Sequence, residues 1–380
     1  MVRIFSVGGS VRDHLLGVEP KDRDYVVTGA NAEWMISKGF KQVGAAFPVF
    51  LHPVTGEEYA LARKEKKVSP GYNGFTCEFG PEVTLHEDLM RRDITINAIA
   101  MDPFTKEIID PYGGCKDLAN GIIRHTSEAF AEDPLRVLRV ARFATRYGFK
   151  VADETIDLCK KIVQSNELDS LSPERIWIEF VKILNEKNPR KAFEFLDQVG
   201  ALDHTKIRAL VAYKPFETVS DKLVVNLSFY EKAYFFLDVH EMSNKELLDF
   251  RVQSDVTNQV KLIHSFNKVF DRLVSCYVNK AGKFTHDDVN MLIEFYDSRR
   301  NLLVDLSVIK FAQTILDNSD LPEKDVILIS KVLQKIKIVI KTLQNLKFGS
   351  LTQGMKNGEE IKKLVYDTKA KAILSEIEKD

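Results

Sequence analysis

The chain has 380 residues, of which 44% are hydrophobic, 29% charged and 10% aromatic. This composition is typical of folded globular proteins, and the length exceeds what one hydrophobic core usually supports, so we expect roughly two to four folded units. Lys and Arg total 54 and Asp and Glu total 55, which excludes a large, uniformly basic surface for nucleic acid. Any RNA contact must therefore be a local patch.

The cysteines and the apolar segments favour a cytoplasmic protein. The four cysteines are far apart and form no CxxC pair, which fits a reducing compartment and argues against structural zinc. The N-terminal residues lack the pattern of a signal peptide. The most apolar late segment, Val326 to Leu343, is interrupted by lysines, so no membrane span is expected.

The first third of the chain alternates strand-like runs with glycines and helical patterns. Strands are predicted at residues 3–7, 22–27, 49–52, 58–62 and 107–110, and helices up to Leu16 and around Trp34. Together these elements predict a small mixed sheet with helices that ends near Thr126.

From Glu132 onward the periodicity is helical, and Ser172 before Pro173 has the pattern of a capped helix start. Strand signals almost vanish. The predicted fold class is therefore α+β, with a mixed-sheet head at residues 1–128 and all-helical parts at residues 129–215 and 216–380.

Two carboxylates, Asp22 and Asp24, lie two residues apart on the second predicted strand. Side chains at this spacing leave a strand on the same face, so both can contact a hard cation. Mg²⁺ takes oxygen ligands and keeps positions for water or substrate phosphates, which suits chemistry on nucleoside triphosphates. Taken alone, the pattern also occurs by chance on surface strands.

Just upstream, Gly8 and Gly9 lie at a predicted strand-to-helix turn, where backbone N–H groups can receive phosphate oxygens. Arg12, one turn into the helix, can add a charge-assisted hydrogen bond. The alternative is an ordinary tight turn in which Arg12 pairs with Asp13 or Asp24.

These motifs adjoin in GGSVRDHLLGVEPKDRDYVV, which resembles the signature of the DNA polymerase β-like nucleotidyltransferases. The form is the one shared by class II CCA-adding enzymes and bacterial poly(A) polymerases. The resemblance continues in order through HEDLMRRDITINA and EDPLRVLRVAR to LSPERIWIE, which is roughly the first half of the chain. It implies a nucleotidyltransferase head followed by a helical neck, body and tail.

The resemblance implies a nucleotide-sugar site in HEDLMRRDITINA, with Arg92 at the nucleotide and Asp93 near the ribose. A carboxylate can accept a hydrogen bond from a 2′-hydroxyl, which separates RNA precursors from deoxy ones. The alternative is a helix-end ion pair of Arg91 or Arg92 with Asp88.

The resemblance also implies that Asp133 and Arg136 read the incoming base. Three residues apart at a helix start, they can share a face. Aspartate accepts from the exocyclic amine of cytosine or adenine, and arginine donates to the adjacent ring acceptors, whereas uracil and guanine present the opposite pattern. In the competing interpretation, Asp133 before Pro134 simply caps the helix.

Three further features have a role only through the resemblance. Arg139 and Arg142 continue the basic series toward the nucleotide, although they can also pair with acids such as Asp153 and Glu154. The segment from Arg63 to Phe75 corresponds to a flexible loop that helps switch from C to A addition. Glu58 is a weak candidate for a third carboxylate near the metal, and a solvent-facing strand position is favoured for it.

The second half lacks the paired His and Asp motifs of the phosphohydrolase domain that some relatives carry. His204, His240, His264 and His286 are scattered in sequence, so we expect structural or surface histidines. Between Lys331 and Lys379, lysines outnumber acids about two to one, which indicates either a phosphate-binding patch or a solvated helix face.

The predicted function is addition of C, C and A to a tRNA by two-metal-ion nucleotidyl transfer. CTP and ATP are the expected donors, the tRNA 3′ end with its acceptor arm is the expected partner, Mg²⁺ is the expected cofactor, and a monomer is expected. Two alternatives stay open: a poly(A) polymerase with the same head, and a tRNA-binding protein without catalysis.

Overall fold

The computed structural model describes residues 1–20, 22–43, 49–67, 75–211, 220–279, 285–298, 307–319, 321–349 and 351–377. The chain forms two compact units, Met1–Ala209 with Asp249–Arg251 and Leu210–Leu248 with Val252–Asp380. The predicted boundary at 128/129 falls inside the first unit, and the one at 215/216 lies outside the described residues, so the domain division stays a prediction. Lys21, residues 68–74 of the predicted loop and Lys379 also lie outside the described residues.

A mixed sheet is the centre of the first unit. Its strands are β1 (Arg3–Val7), β2 (Asp24–Thr28), β3 (Lys41–Val43), β4 (Val49–Leu51), β5 (Glu58–Leu61), β8 (Ala100–Met101) and β9 (Ile108–Ile109), in the spatial order β3-β4-β5-β2-β1-β8-β9. At the centre, β2 is antiparallel to β1 and parallel to β5. Because the sheet mixes both directions and carries helices, the predicted α+β head is confirmed.

A separate hairpin of β6 (Arg63–Lys67) and β7 (Phe75–Phe79) stands where a loop was expected. The prediction of a loop from Arg63 to Phe75 is therefore wrong at both ends. The charged run RKEKK does not have the pattern of a strand, and one of its cross-strand pairs, Lys64 opposite Glu78, joins opposite charges. Similarly, β10 (Ile122–Ile123) and β11 (Lys150–Val151) form a parallel pair too short to predict.

The described helices of the first unit alternate with these strands and then replace them. They are α1 (Gly9–Leu15), α2 (Ala32–Ser37), α3 (Leu85–Met90), α4 (Gly114–Asn120), α5 (Leu135–Tyr147), α6 (Asp153–Gln164), α7 (Pro173–Leu184), α8 (Arg190–Gln198) and α9 (Thr205–Arg208). Ser172 caps α7 by accepting from the Arg175 N–H, which confirms the predicted helix start.

Apolar strand residues hold β2 in the centre of the sheet. Phe5, Val7 and Val26 are buried together with Leu89 and Ala98 in one core cluster. Val27 is buried in a second cluster, so both faces of β2 are covered, and Asp24 at its start lies on the same face as Val26. Asp22 lies in a bend before β2 and not on the strand, so the predicted strand start is two residues too early.

Beyond residue 209 the described elements are almost entirely helical, as predicted. They are α10 (Asp221–Val224), α11 (Phe229–Phe236), α12 (Asn244–Asp249), α13 (Ser254–Asn279), α14 (His286–Ser298), α15 (Ser307–Asp317), α16 (Glu323–Asn345) and α17 (Gly358–Ile377). The core of the second unit includes Phe266, Ile293, Ile336 and Ile373. Among the described helices, no segment is long and apolar enough to cross a membrane.

Candidate active site

A cleft of about 780 Å³ in the first unit brings together every predicted site residue. These are Gly8, Gly9, Arg12, Asp22, Asp24, Arg92, Asp93, Asp133, Arg136, Arg139 and Arg142. The lining contains ten Arg and Lys residues against five Asp and Glu residues. This excess of positive charge suits a polyanionic ligand such as a triphosphate.

The acids of the cleft are concentrated where β2 begins. Asp24 and Glu58 are directly opposite each other in the parallel pair of β2 and β5, and Asp22 lines the same cleft. Burial raises the pKa of Asp24; Arg92 opposes this rise, while Glu58 and Asp22 add to it. Glu58 is exposed to solvent, as expected, and it also lines the cleft.

The turn from β1 into α1 needs glycine at position 8. Gly8 has a φ of +67°, a conformation that side chains disfavour, and an added Cβ would lie 2.8 Å from Arg92 Nη1. Arg12 projects from α1, donates to Asp13 Oδ1 from Nε at 2.9 Å and Nη2 at 2.8 Å, and contacts the Asn97 amide oxygen. Pairing with Asp13 was the predicted alternative, so contact of this turn with phosphate stays a prediction.

A fully buried carboxylate orients the two arginines after α3. Asp88 accepts from Arg91 Nη2 at 2.7 Å and from Arg92 Nη2 at 3.1 Å. Burial would raise the pKa of Asp88, but the two guanidinium groups hold it below its ordinary value. The predicted helix-end ion pair is present, and it fixes Arg92 at the wall of the cleft.

The carboxylate of Asp93 is already occupied by protein donors. Its Oδ1 accepts from the Ile94 N–H and the Asn97 amide, and its Oδ2 accepts from Arg139 Nη2 at 2.7 Å and Nε at 2.8 Å. Against the effect of burial, Arg139 and Asn97 hold its pKa below the ordinary value. Four donors fill the acceptor capacity of one carboxylate, so a ribose hydroxyl would have to displace one of them.

The predicted base-reading pair is held by contacts that sequence reasoning missed. Asp133 accepts from Arg175 Nη2 at 2.9 Å and from the Leu135 N–H at 3.2 Å, so it also assists the start of α5. Arg136 donates from Nη1 to the carbonyl oxygen of Ala129 at 2.6 Å and from Nη2 to that of Arg91. Both side chains therefore reach the cleft in fixed orientations.

The next two arginines of α5 have tertiary partners other than the predicted ones. Arg139 pairs with Asp93, and Arg142 pairs with Glu179 of α7, both members of that pair being almost fully buried. Asp153 and Glu154, the candidate partners from sequence, are exposed on α6, and Glu154 pairs with Arg124. The one sequence signal for Glu179 was its position, as a charged residue, on the apolar face of the helix in LSPERIWIEF.

Replacement of Glu179 by glutamine should lower the free energy of unfolding by about 3–5 kcal/mol, because it leaves the Arg142 guanidinium buried without a carboxylate. The measurement is urea unfolding followed by fluorescence of Trp177, which is buried two residues away on α7. The control is Glu194→Gln, which removes the partly exposed partner of Arg190 and should cost about 0.5 kcal/mol or less. Equal shifts for the two variants would refute a special role for the buried pair.

Family comparisons agree with this cleft. A profile described as poly A polymerase head domain matches residues 4–124, and one described as probable RNA and SrmB- binding site of polymerase A matches residues 148–206. The Multifunctional CCA protein of Neisseria gonorrhoeae (strain NCCP11945) is 58% identical over 201 residues, covering 53% of this chain and 49% of that protein. The first half of the chain is therefore similar to the poly(A) polymerase head domain and to the CCA proteins that match it.

A second curated relative extends the comparison. The Multifunctional CCA protein of Haemophilus influenzae (strain PittGG) is 58% identical over 204 residues, covering 53% of this chain and 49% of that protein. The chain thus spans about half the length of the curated relatives it matches. The predicted site residues up to Asp93 lie within the head-domain match, whereas those on and before α5 lie between the two profile matches.

Solved structures match nearly the whole chain in fold. A CCA-adding enzyme in complex with ATP has a TM-score of 0.68 at 24% identity, covering 98% of this chain and 86% of that one. The Thermotoga maritima CCA-adding enzyme complexed with tRNA_CCA has a TM-score of 0.66 at 22% identity, covering 98% and 87%. At these identities the likeness shows the fold, and it includes the helical second half.

Proposed function

We propose that this protein adds C, C and A to the 3′ end of tRNA, with CTP and ATP as donors and Mg²⁺ as cofactor, by two-metal-ion nucleotidyl transfer. One observation carries the proposal: a single cleft has cation-binding carboxylates at the start of β2 and a fixed acid–arginine pair at the start of α5. The first set suits the triphosphate and the second suits its base. The relatives named Multifunctional CCA protein support the choice of reaction.

The acidic end of the cleft fits Mg²⁺. Asp22 and Asp24 offer oxygen donors beside Glu58, and burial, with a smaller effect of Glu58 and Asp22, raises the pKa of Asp24, so a cation there would stabilise its ionised form. When bound, the ions neutralise developing charge on the attacking and leaving oxygens of an in-line displacement. We propose Asp22 and Asp24 as the ligands, and Arg92 with the glycine turn as contacts of the triphosphate.

Selection of the base follows from the donor and acceptor pattern of the proposed readers. The Asp133 carboxylate accepts from Arg175 and still has acceptor capacity for an exocyclic amine. Arg136 is held by two carbonyl oxygens, so its guanidinium does not have to be ordered when the base arrives. Cytosine and adenine match this pair, whereas uracil and guanine place a carbonyl against the carboxylate.

The sugar and base contacts require local rearrangement at one point. Asp93 has its acceptor capacity filled, and two of its donors, Asn97 and Arg139, also line the cleft. We propose that a ribose 2′-hydroxyl displaces Arg139 from Asp93 and that the released guanidinium moves to the nucleotide. After this exchange, Asp93 can contact the ribose and Arg139 can contact the nucleotide, although the two side chains are paired in the structure.

The direct test is incubation of trimmed tRNA with labelled CTP, ATP or both, with product length read at single-nucleotide resolution. Our proposal predicts two additions with CTP alone, none on fully trimmed tRNA with ATP alone, and three with both. Extension by ATP alone into a long tail would favour the poly(A) polymerase alternative, which the head-domain profile keeps open. No extension under any condition would favour the alternative of tRNA binding without catalysis.

A further inference from the structure

Two histidines and a glutamate that are distant in sequence lie together in the second unit. His240 and Glu241 follow α11, and His264 is on α13; one ligand atom from each lies within 4.8 Å of the other two. The two imidazole rings are 4.1 Å apart between centroids. His240 and His264 are separated in sequence, but folding of the turn onto α13 brings them together, so their expected structural or surface role stays a prediction.

The His240 side chain is mostly buried, and one of its ring nitrogens receives no hydrogen bond from the described residues. Its side chain is 14% exposed, and its buried Nδ1 has no hydrogen-bond partner among the described residues. Buried ring nitrogens are normally satisfied, so an unpaired one calls for an explanation such as an ion. The ring of Tyr234 packs beside both histidines, with centroids 6.0 Å from His240 and 6.3 Å from His264.

Nitrogen and carboxylate donors already approach each other in this cluster. Glu241 Oε1 is 3.4 Å from His240 Nε2, and the Glu241 side chain is exposed to solvent. The cluster thus offers two imidazoles beside a carboxylate whose charge a cation would balance.

We propose that His240, Glu241 and His264 bind one transition-metal ion of the Zn²⁺ class. Two imidazoles and one carboxylate are a common ligand set for Zn²⁺, with a fourth position left for water. Donors around tetrahedral zinc are roughly 3.3 Å apart, so the observed cluster needs only a modest closure, and the exposed Glu241 side chain can provide it. Mg²⁺ prefers oxygen ligands and does not compete well for imidazole.

The ion would connect the turn after α11 to α13. Elements joined by a bound ion gain stability in proportion to the logarithm of ion concentration over Kd. This role is separate from nucleotidyl transfer, because none of the three residues lines the cleft of the first unit. Failure of the metal proposal would leave the proposed function untouched, and the reverse also holds.

The experiment uses the full chain, freed of any oligohistidine tag, treated with EDTA and exchanged into buffer with excess Mg²⁺ to occupy the Asp22 and Asp24 site. Titration with Co²⁺ should give the intense visible absorption of a four-coordinate, nitrogen-bound ion at one equivalent, and Zn²⁺ should abolish it. A hundredfold excess of Zn²⁺ over Kd should raise the Tm of the second unit by about 5 °C or more.

Three variants decide whether this cluster is the site. His264→Gln and Glu241→Gln should each weaken Co²⁺ binding at least about tenfold, the smallest loss usual when even an outer partner of a metal ligand is removed. The matched control is His286→Gln, which changes an exposed histidine at the start of α14 and should bind as the unmodified chain does. The absence of the visible band in the unmodified chain, or equal binding by all variants, would overturn the proposal.

Discussion

Asp24→Asn should reduce nucleotide addition to tRNA about a thousandfold or more while leaving the fold intact. The amide keeps the size of the side chain but removes the charge that holds a divalent cation, and such an ion contributes several kcal/mol to the transition state. The measurement is single-turnover addition of CMP to trimmed tRNA at saturating CTP and Mg²⁺. Asp22→Asn should behave alike, because both carboxylates line the same end of the cleft.

The stability of the Asp24→Asn variant separates a catalytic role from a structural one. Burial raises the pKa of Asp24 in the folded chain, so its ionised form opposes folding. The penalty is absent below the unfolded-state pKa of the carboxyl group and complete above the raised folded-state pKa. At neutral pH, asparagine removes this penalty, and the variant should unfold at a temperature no lower than that of the unmodified chain.

A matched control for the loss of activity is Asp157→Asn, which changes an exposed aspartate on α6 outside the cleft. It should retain full activity and full affinity for tRNA. Two results would refute the metal role of Asp24: retention of activity by Asp24→Asn, or a parallel loss of activity and folding in that variant.

Arg136→Gln should relax selection among the four nucleoside triphosphates more than it weakens their binding. A well-formed pair of hydrogen bonds to a base edge is worth about 1–3 kcal/mol of discrimination, so the preference for CTP over UTP should fall by about fivefold to 150-fold. The measurement is kcat/KM for CTP, ATP, UTP and GTP under the same conditions. In the variant, kcat/KM should rise for UTP and GTP and fall for CTP and ATP.

A structural contribution of Arg136 is expected as well, and the four substrates separate it from base reading. The side chain satisfies the carbonyl oxygens of Ala129 and Arg91, and leaving such groups unpaired costs about 1–3 kcal/mol. That loss destabilises the protein itself, so it should lower kcat/KM by the same factor for every triphosphate. Equal reductions of kcat/KM across all four substrates would therefore assign Arg136 to structure alone. The control variant Arg190→Ala on α8 should change neither the kcat/KM values nor the preference among the four triphosphates.

The sequence predicted the residues of the cleft through motifs that adjoin and resemble those of a known family. Asp22 and Asp24 are close in the chain and the glycine turn precedes them, but each motif taken alone also had an ordinary structural interpretation. Strand positions such as Arg3–Val7 and Glu58–Leu61 were predicted well, because apolar alternation and burial of one face determine them. Short elements failed where pairing with a distant partner, rather than local pattern, stabilises the strand, as for Lys150–Val151.

The partners that orient the site were beyond sequence reasoning for the same physical reason. Arg142 was matched with Asp153 and Glu154, which are near in sequence, whereas the packing of α5 on α7 brings Glu179 to it. Arg175 was not among the residues predicted for the site, yet it contacts Asp133 across a separation of 42 residues. A pattern of residue types predicts which helix face is apolar but not which charged side chains meet when two helices pack.

The attachment of Arg136 to main-chain oxygen has a consequence for how substrate choice tolerates change. The oxygens come from residues 91 and 129, so the side chains at those positions can vary without altering the angle at which the guanidinium meets a base. Insertions or deletions between α3 and α5 would instead shift it. In the base-reading role proposed for Arg136, selection of the base should therefore tolerate most single substitutions nearby and be sensitive to a shift of this short stretch of backbone.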